Sequence, residues 1–191
     1  YVIQVDGDLV LHRDFVRDHL DAARPGYFVG GSRVLLGPDA SRRVLAGAMR
    51  PGPFASGVRN RENALHLAWL GRLLARWIRP TAISRVRGAN MSYWRDDFLA
   101  VNGYDEAYVG WGREDTDLVV RLHCFGLERR YFKLQGIVYH LDHADRARDR
   151  LGRNEGLLRR AMEAGSYRCT EGVARYLAPA GGALEPARGE R

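Results

Sequence analysis

Residues 109–122 read VGWGREDTDLVVRL, and this stretch carries most of the information on fold and function. Two glycines flank Trp111, and Glu114, Asp115 and Asp117 follow where a helical pattern begins. Acidic residues suit a first helical turn because they cap free N–H groups and complement the helix dipole. That explains one or two of them, but not the glycine-flanked tryptophan. A flat indole can stack on a sugar, and a neighbouring carboxylate can take a proton from a hydroxyl nucleophile.

The segments on either side of this stretch alternate between strand and helix patterns. Strands are predicted over 1–5, 27–36 and 85–94, and residues 129–143 are predicted to form a strand that runs into a histidine-bearing turn. Helices are predicted over 13–23, 61–79, 95–103, 115–125 and 154–165, with Gly103 and Gly126 as C-terminal stops. Residues 36–57 indicate a loop with a little helix, and the composition of 179–191 predicts a disordered tail. The alternation favours an α/β or α+β sheet domain.

Two polar groups follow predicted strands. Asp6 and Asp8 end the first strand, and in extended chain both carboxylates face one side, which suits a hard divalent cation that also holds phosphate. A solvated strand-to-loop turn explains the same letters equally well. His140 and His143 follow a later strand, where a neutral imidazole would complete a carboxylate-bound transition-type cation and favour manganese. The alternative is a pair of exposed or core histidines.

Bulk composition excludes some classes of function. The 191 residues suffice for one domain or a large part of one, and no apolar run could span a bilayer. The net charge of +7 comes almost entirely from scattered arginines, so no nucleic-acid partner is predicted. Cys124 and Cys169 lack a metal-type spacing, which favours a reduced, cytoplasmic setting.

The basic segment 61–79 allows two interpretations. Its predicted apolar stripe consists of Leu67, Leu70, Leu74, Trp77 and Ile78. The preferred interpretation is a helix packed on the domain with its arginines in water. The alternative is a peripheral contact with the inner face of the cytoplasmic membrane, which would fit a lipid-linked acceptor.

Three stretches together resemble a known family: VDGD at 5–8, RGANMSYWRDDFLAVNGYDEAYVGWGREDTDLVVRL at 87–122, and IVYHLDH at 137–143. They resemble bacterial family 2 glycosyltransferases of the GT-A type, in particular those whose C-terminal half is like that of β-1,4-galactosyltransferases and chondroitin-polymerising enzymes. The resemblance covers about residues 1–150. It implies an α/β, GT-A-like mixed sheet flanked by helices.

The resemblance also sets expectations for domain organisation. Residues 1–165 would be the C-terminal portion of a single GT-A-like catalytic domain, with 61–79 as a helical insertion. In this family the D-x-D strand follows several nucleotide-binding β/α units, and the sequence begins at that strand. The expectation is therefore an N-terminally truncated chain that lacks those units.

On the donor side, the resemblance implies four residue roles. Asp6 would face the ribose or pyrophosphate of the nucleotide. Asp8 and His140 would hold Mn²⁺ or Mg²⁺, and Gly88 would pass under the donor sugar. His143 has no secure counterpart in the family pattern.

On the acceptor side, the roles fall in the opening stretch. Trp111 would be the stacking platform, and Gly112 would keep the loop tight. Glu114 would bind sugar hydroxyls, and Asp115 would be the general base. Arg113 replaces the second glycine of the galactosyltransferase version, which leaves acceptor preference open.

The implied activity is inverting transfer of a sugar from a nucleotide-diphospho-sugar to a glycan or lipid-linked saccharide, in bacterial surface polysaccharide synthesis. The alternative is a truncated, catalytically inactive glycosyltransferase-like protein that binds carbohydrate or serves as a scaffold.

Overall fold

The computed structural model describes residues 1–80, 86, 88–144 and 149–177. The strands in these ranges are β1 (Val2–Val5), β2 (Leu9–Leu11), β3 (Tyr27–Gly30), β4 (Val34–Leu36), β5 (Val58–Arg59), β6 (Asn90–Tyr93), β7 (Glu128–Arg130) and β8 (Val138–His140). The α-helices are α1 (Phe15–Ala22), α2 (Pro38–Leu45), α3 (Ala68–Leu74), α4 (Arg95–Ala100), α5 (Glu114–Cys124), α6 (Leu151–Ala164) and α7 (Ala174–Leu177), and a 3₁₀ helix spans Arg61–Ala64. The predicted tail 179–191 lies outside the described residues.

Two compact units divide the chain. The first comprises Tyr1–Trp94 and Leu127–Arg146, and the second comprises Arg95–Gly126 and Ala147–Arg191. The single catalytic domain over 1–165 stays a prediction. Within the described residues, no helix is long and apolar enough to cross a membrane.

The first unit contains two four-stranded mixed sheets, ordered β1-β6-β3-β7 and β2-β8-β4-β5. In the first sheet β6 runs antiparallel to β1 and β3, whereas β3 and β7 are parallel. In the second, β8 is antiparallel to β2 and parallel to β4. Buried apolar residues such as Phe28, Val34 and Met91 lie on these strands. The predicted α/β mixed sheet flanked by helices is confirmed.

Strand register explains how residues far apart in sequence meet near Asp8. Leu9 pairs with His140 across β2 and β8, and the Leu141 amide donates to the Asp8 carbonyl at 3.0 Å. This pairing places the end of β8 beside the β1–β2 turn, which also links the two sheets.

The predicted strand over 27–36 is in fact two strands in different sheets. The chain changes sheet at Gly31, whose amide donates to the Asn90 carbonyl at 2.8 Å. A Cβ at Gly31 would lie 2.3 Å from the Asn90 side chain, so the approach requires glycine. The segment 129–143 is likewise split, because Leu134 and Gly136 adopt positive φ between β7 and β8.

The predicted continuous helix over 61–79 is wrong in its length. The 3₁₀ helix ends at Ala64, and α3 begins only at Ala68. Between them, the Leu67 amide donates to the Leu134 carbonyl at 2.9 Å, which draws the segment out of helical geometry. Gly71 is buried, and a Cβ there would lie 2.4 Å from the Lys133 carbonyl oxygen, whereas Leu70 and Leu74 of the predicted stripe are only half-buried.

The second unit is built mainly from helices. Leu118, Val119 and Leu122 of α5 are fully buried. Gly103 and Gly126 end α4 and α5 with positive φ, as the sequence predicts, and their amides bond to Phe98 and His123 carbonyls. The last long helix, α6, begins three residues before the predicted 154.

Candidate active site

The turn after β1 carries the first group of candidate residues. The strand ends at Val5, and Gly7 and Asp8 form a turn, so the expected extended Asp6-Gly7-Asp8 segment is wrong. Asp8 Oδ2 lies 3.0 Å from His143 Nε2 and 3.5 Å from His140 Nε2. We call these three residues the Asp8 group; their ligand atoms all lie within 4.8 Å of one another.

Hydrogen bonding fixes the tautomer of neutral His143. Its Nδ1 donates to the Ala144 carbonyl at 2.7 Å, because a carbonyl oxygen can only accept. In the neutral ring Nε2 then carries a lone pair that faces the Asp8 carboxylate. Two lone pairs at 3.0 Å repel each other unless a proton or a metal cation lies between them.

The surroundings of His140 favour its neutral form. Burial lowers the pKa of His140, and the charge of Arg33 lowers it further, whereas Asp8 and Asp6 act in the opposite direction. Asp8 Oδ1 is buried and accepts no hydrogen bond within the described ranges of the chain. A buried carboxylate oxygen without a donor, beside two imidazole nitrogens, is an arrangement that a divalent transition-type cation would satisfy.

Gly88 lies just before β6 and Asp6 lies just after β1, so both are at the same end of this antiparallel strand pair. Val5 pairs with Asn90, so the residues just after β1 and just before β6 are neighbours in the register. Gly88 is buried, but it lies in a turn, and the expected strand position is therefore wrong.

A second compact group, His12, Asp18 and His66, also lies in the first unit. Here the polar atoms already have partners. His66 Nε2 and the Gly136 amide both donate to Asp18 Oδ2 at 2.8 Å. His12 Nδ1 accepts from the Asp14 amide at 3.3 Å, and its ring stacks on His66. This group tethers α1 to the segment before α3, and it does not need an ion.

The loop before α5 is held in an unusual backbone conformation. Gly110, Gly112 and Arg113 all have positive φ. The Gly112 carbonyl accepts from Nδ2 of Asn154, a fully buried residue on α6, at 2.9 Å. The φ of +109° at Gly112 favours glycine, and an added Cβ would lie 2.9 Å from the end of the Leu151 side chain, which would have to move.

Of the three acidic residues at the start of α5, Asp117 is structural. It is 1% exposed and forms an ion pair with Arg121 at 2.7 Å. Arg121 also donates to the carbonyls of Val101 and Gly103, both at 2.7 Å, and so ties the end of α4 to α5. Burial raises the pKa of Asp117, an effect that the Arg121 charge opposes.

Asp115 and Glu114 are only half-buried and differ from Asp117 in their partners. The Tyr104 hydroxyl donates to Asp115 Oδ1 at 3.0 Å, which orients that carboxylate. Glu114 Oε2 is buried and accepts no hydrogen bond from the residues that the structure describes. It is therefore an acceptor suited to a ligand hydroxyl. Trp111 is also half-buried.

The candidate residues thus fall into two sets. Asp6, Asp8, Gly88 and His140 belong to the first unit, and Trp111, Gly112, Glu114 and Asp115 belong to the second. The structure brings Asp8 and His140 together and adds His143, Tyr104 and Asn154, for which no role was assigned from the sequence. The convergence of the two sets on one cleft stays a prediction.

Residues 70–144 match the family model described as the N-terminal domain of galactosyltransferase. This supports a galactosyltransferase-like glycosyltransferase domain, and hence a sugar donor and an acceptor in general. The matched stretch contains the α5 motif and both histidines of the Asp8 group, whereas Asp8 precedes it. Domains of this kind often use a divalent metal. Comparison with curated proteins finds no match to the chain.

Proposed function

We propose that the protein is an inverting, metal-dependent glycosyltransferase. It moves a sugar from a nucleotide-diphospho-sugar to a hydroxyl of a glycan or lipid-linked saccharide, in the cytoplasm and in bacterial surface polysaccharide synthesis. Residues 1–165 act as one catalytic domain. The observation that carries the proposal is the start of α5, where Asp115 is oriented by Tyr104 and Glu114 keeps a buried acceptor unpaired.

The Asp8 group supports the metal requirement. Asp8, His140 and His143 would hold Mn²⁺ or Mg²⁺, and their nitrogen donors favour manganese. When bound, the ion supplies Lewis-acid neutralisation of the departing diphosphate. Asp6 faces the ribose or pyrophosphate, and Gly88 leaves room for the donor sugar.

The acceptor side performs the proton transfer. Asp115 takes the proton of the acceptor hydroxyl, and that oxygen bonds to the anomeric carbon from the face opposite the nucleotide. The bond from the anomeric carbon to the diphosphate breaks, and its electron pair leaves with the diphosphate. Glu114 accepts a hydrogen bond from a sugar hydroxyl, Trp111 stacks on the ring, and Gly112 keeps the loop against α6.

Substitution of the base tests the proposal. With Mn²⁺, UDP-hexoses and oligosaccharide acceptors, Asp115→Asn should lower transfer by about 10²–10⁴-fold, because the amide cannot take the proton. The matched control is Asp96→Asn on α4, where the side chain is 94% exposed. Transfer at the wild-type rate by Asp115→Asn would refute the assignment. Sugar binding without any transfer by the wild-type protein would support the non-catalytic alternative.

A further inference from the structure

A groove in the first unit is lined by more cations than anions. It has a volume of about 620 Å³ and lies among the end of α1, α3 and β7. We call it the arginine groove. Among the described residues, the arginines that line it are Arg24, Arg72, Arg76, Arg79, Arg129 and Arg130.

Few carboxylates balance this charge. Asp21 lines the groove and pairs with Arg72 at 2.8 Å, and Glu128 lies 3.8 Å from Arg79. Burial lowers the pKa of Arg130, and repulsion from Arg24 and Arg79 lowers it further. The Arg130 Nε atom is buried and donates to no acceptor in the described structure. The groove is therefore complementary to an anion with several acceptor oxygens, such as a phosphate group.

Large apolar side chains are exposed in and next to the groove. Trp69 and Leu73 line it and are 63% and 45% exposed, and Trp77, which follows Arg76 in the chain, is 81% exposed. Gly71 of helix α3 is buried, and Trp69 and Leu73 lie four residues apart on the opposite face of the helix. Exposed indoles next to cations are typical of a surface that enters the headgroup region of a bilayer. A free anion would gain nothing from them.

We propose that the arginine groove and its tryptophan rim dock the protein on a membrane surface that carries anionic phospholipids. Lipid phosphates accept hydrogen bonds from the guanidinium groups, while Trp69 and Trp77 enter the interface. This surface goes beyond the proposed transferase function, because none of its residues belongs to either candidate set. Failure of the transferase assay would leave it standing, and its own failure would leave transfer to a soluble acceptor intact.

Binding to vesicles tests the docking surface. The probes are phosphatidylcholine vesicles with and without 30% phosphatidylglycerol. Near such an anionic surface, each basic residue increases the binding constant about fivefold. Arg24→Ala with Arg76→Ala should therefore weaken binding roughly 25-fold. Both side chains are exposed, so the fold should tolerate the changes. The control, Arg43→Ala with Arg50→Ala, removes the same charge from exposed positions outside the groove and should bind like the wild type.

Tryptophan fluorescence and the salt dependence of vesicle binding test the docking surface independently. The emission should shift to the blue on binding, and Trp77→Ser should reduce that shift. Raising the salt from 0.1 to 0.5 M should weaken binding, because the charges become screened. Equal binding by both double variants would overturn the proposal, as would equal binding to vesicles without phosphatidylglycerol. Binding of inorganic phosphate but not of vesicles would also overturn it, and would make the groove a small-anion site.

Discussion

Asp115 and Asp117 are two residues apart at the start of α5, yet their surroundings give them different tasks. Asp117→Asn should lower the free energy of unfolding by about 3–5 kcal/mol, because it leaves Arg121, which is 2% exposed, as a buried charge without its counter-ion. Asp115→Asn weakens one hydrogen bond and should cost about 1 kcal/mol or less. Urea unfolding of both variants checks this contrast, and equal midpoints would contradict it.

His19 provides a pH-dependent test of the buried polar network. Its Nε2 donates to Asn90 Oδ1 at 3.0 Å, so its Nδ1 accepts from the Ser92 hydroxyl at 2.7 Å. Burial lowers the pKa of His19 from 6.5 to about 4. The folded state therefore binds fewer protons than the unfolded state between these values. Stability should be complete above pH 6.5 and fall by roughly 3 kcal/mol as the pH drops to about 4.

His19→Gln serves as the control for this titration. Glutamine can donate and accept but does not titrate, so the difference in unfolding free energy between wild type and variant should shrink as the pH falls. Other histidines contribute equally to both curves. A difference that is constant from pH 7 to pH 4 would show that His19 is not the group responsible.

At the residue scale, the sequence predicts which residue types could take part in the reaction better than it predicts which side chains contact one another. The pairing of Asp8 with His140 follows from a motif, and the structure places them together. The Asp8–His143 contact, the Tyr104–Asp115 bond and the Asn154 bond to Gly112 depend on how separate elements pack. No local pattern encodes them. Among these contacts, the sequence suggests only that of His143, because this residue lies three positions after His140.

At the scale of elements, alanine substitutions at Gly112 and Gly126 measure the cost of backbone strain separately from the cost of steric crowding. Gly112 has φ +109° and Gly126 has φ +100°, but only Gly112 has a neighbour, Leu151, within 3 Å of an added Cβ. Both changes to alanine should destabilise by about 1–2 kcal/mol through the backbone. Gly112→Ala should cost up to about 1 kcal/mol more, because the end of the half-buried Leu151 side chain must change rotamer. Urea unfolding measures the loss of unfolding free energy in each variant. Equal losses would show that Leu151 accommodates the added methyl group at no cost.

The elements that the sequence predicted wrongly share one cause. Helix α1 follows from its periodicity, and helices α4 and α5 follow from periodicity together with their glycine stops. The segments 27–36, 129–143 and 61–79 are each interrupted by a long-range contact, such as the Leu67 amide on the Leu134 carbonyl at 2.9 Å. Apolar periodicity continues through these breaks, because it reports which residues are apolar and not which strand or loop they meet.

For the whole molecule, alternating strands and helices predicted a mixed α/β fold, but not its two sheets. Leu9 of β2 pairs with His140 of β8, and Val2 of β1 pairs with Tyr93 of β6. Pairings over such distances leave no periodic trace in the sequence. The Asp8 group is assembled by the pairing of β2 and β8, so binding of a metal there should stabilise the folded first unit.

Thermal unfolding with Mn²⁺ tests that linkage. A ligand at 100 times its dissociation constant adds about 2.7 kcal/mol, which for a chain of this size raises the Tm by roughly 5–10 °C. Asp8→Asn and His143→Ala should abolish most of the rise. His66→Ala should keep it, because the His12, Asp18 and His66 group has its polar atoms satisfied without an ion. Loss of the rise only in His66→Ala would move the metal to that second group, and the Asp8 contacts would then require a proton between Asp8 and His143.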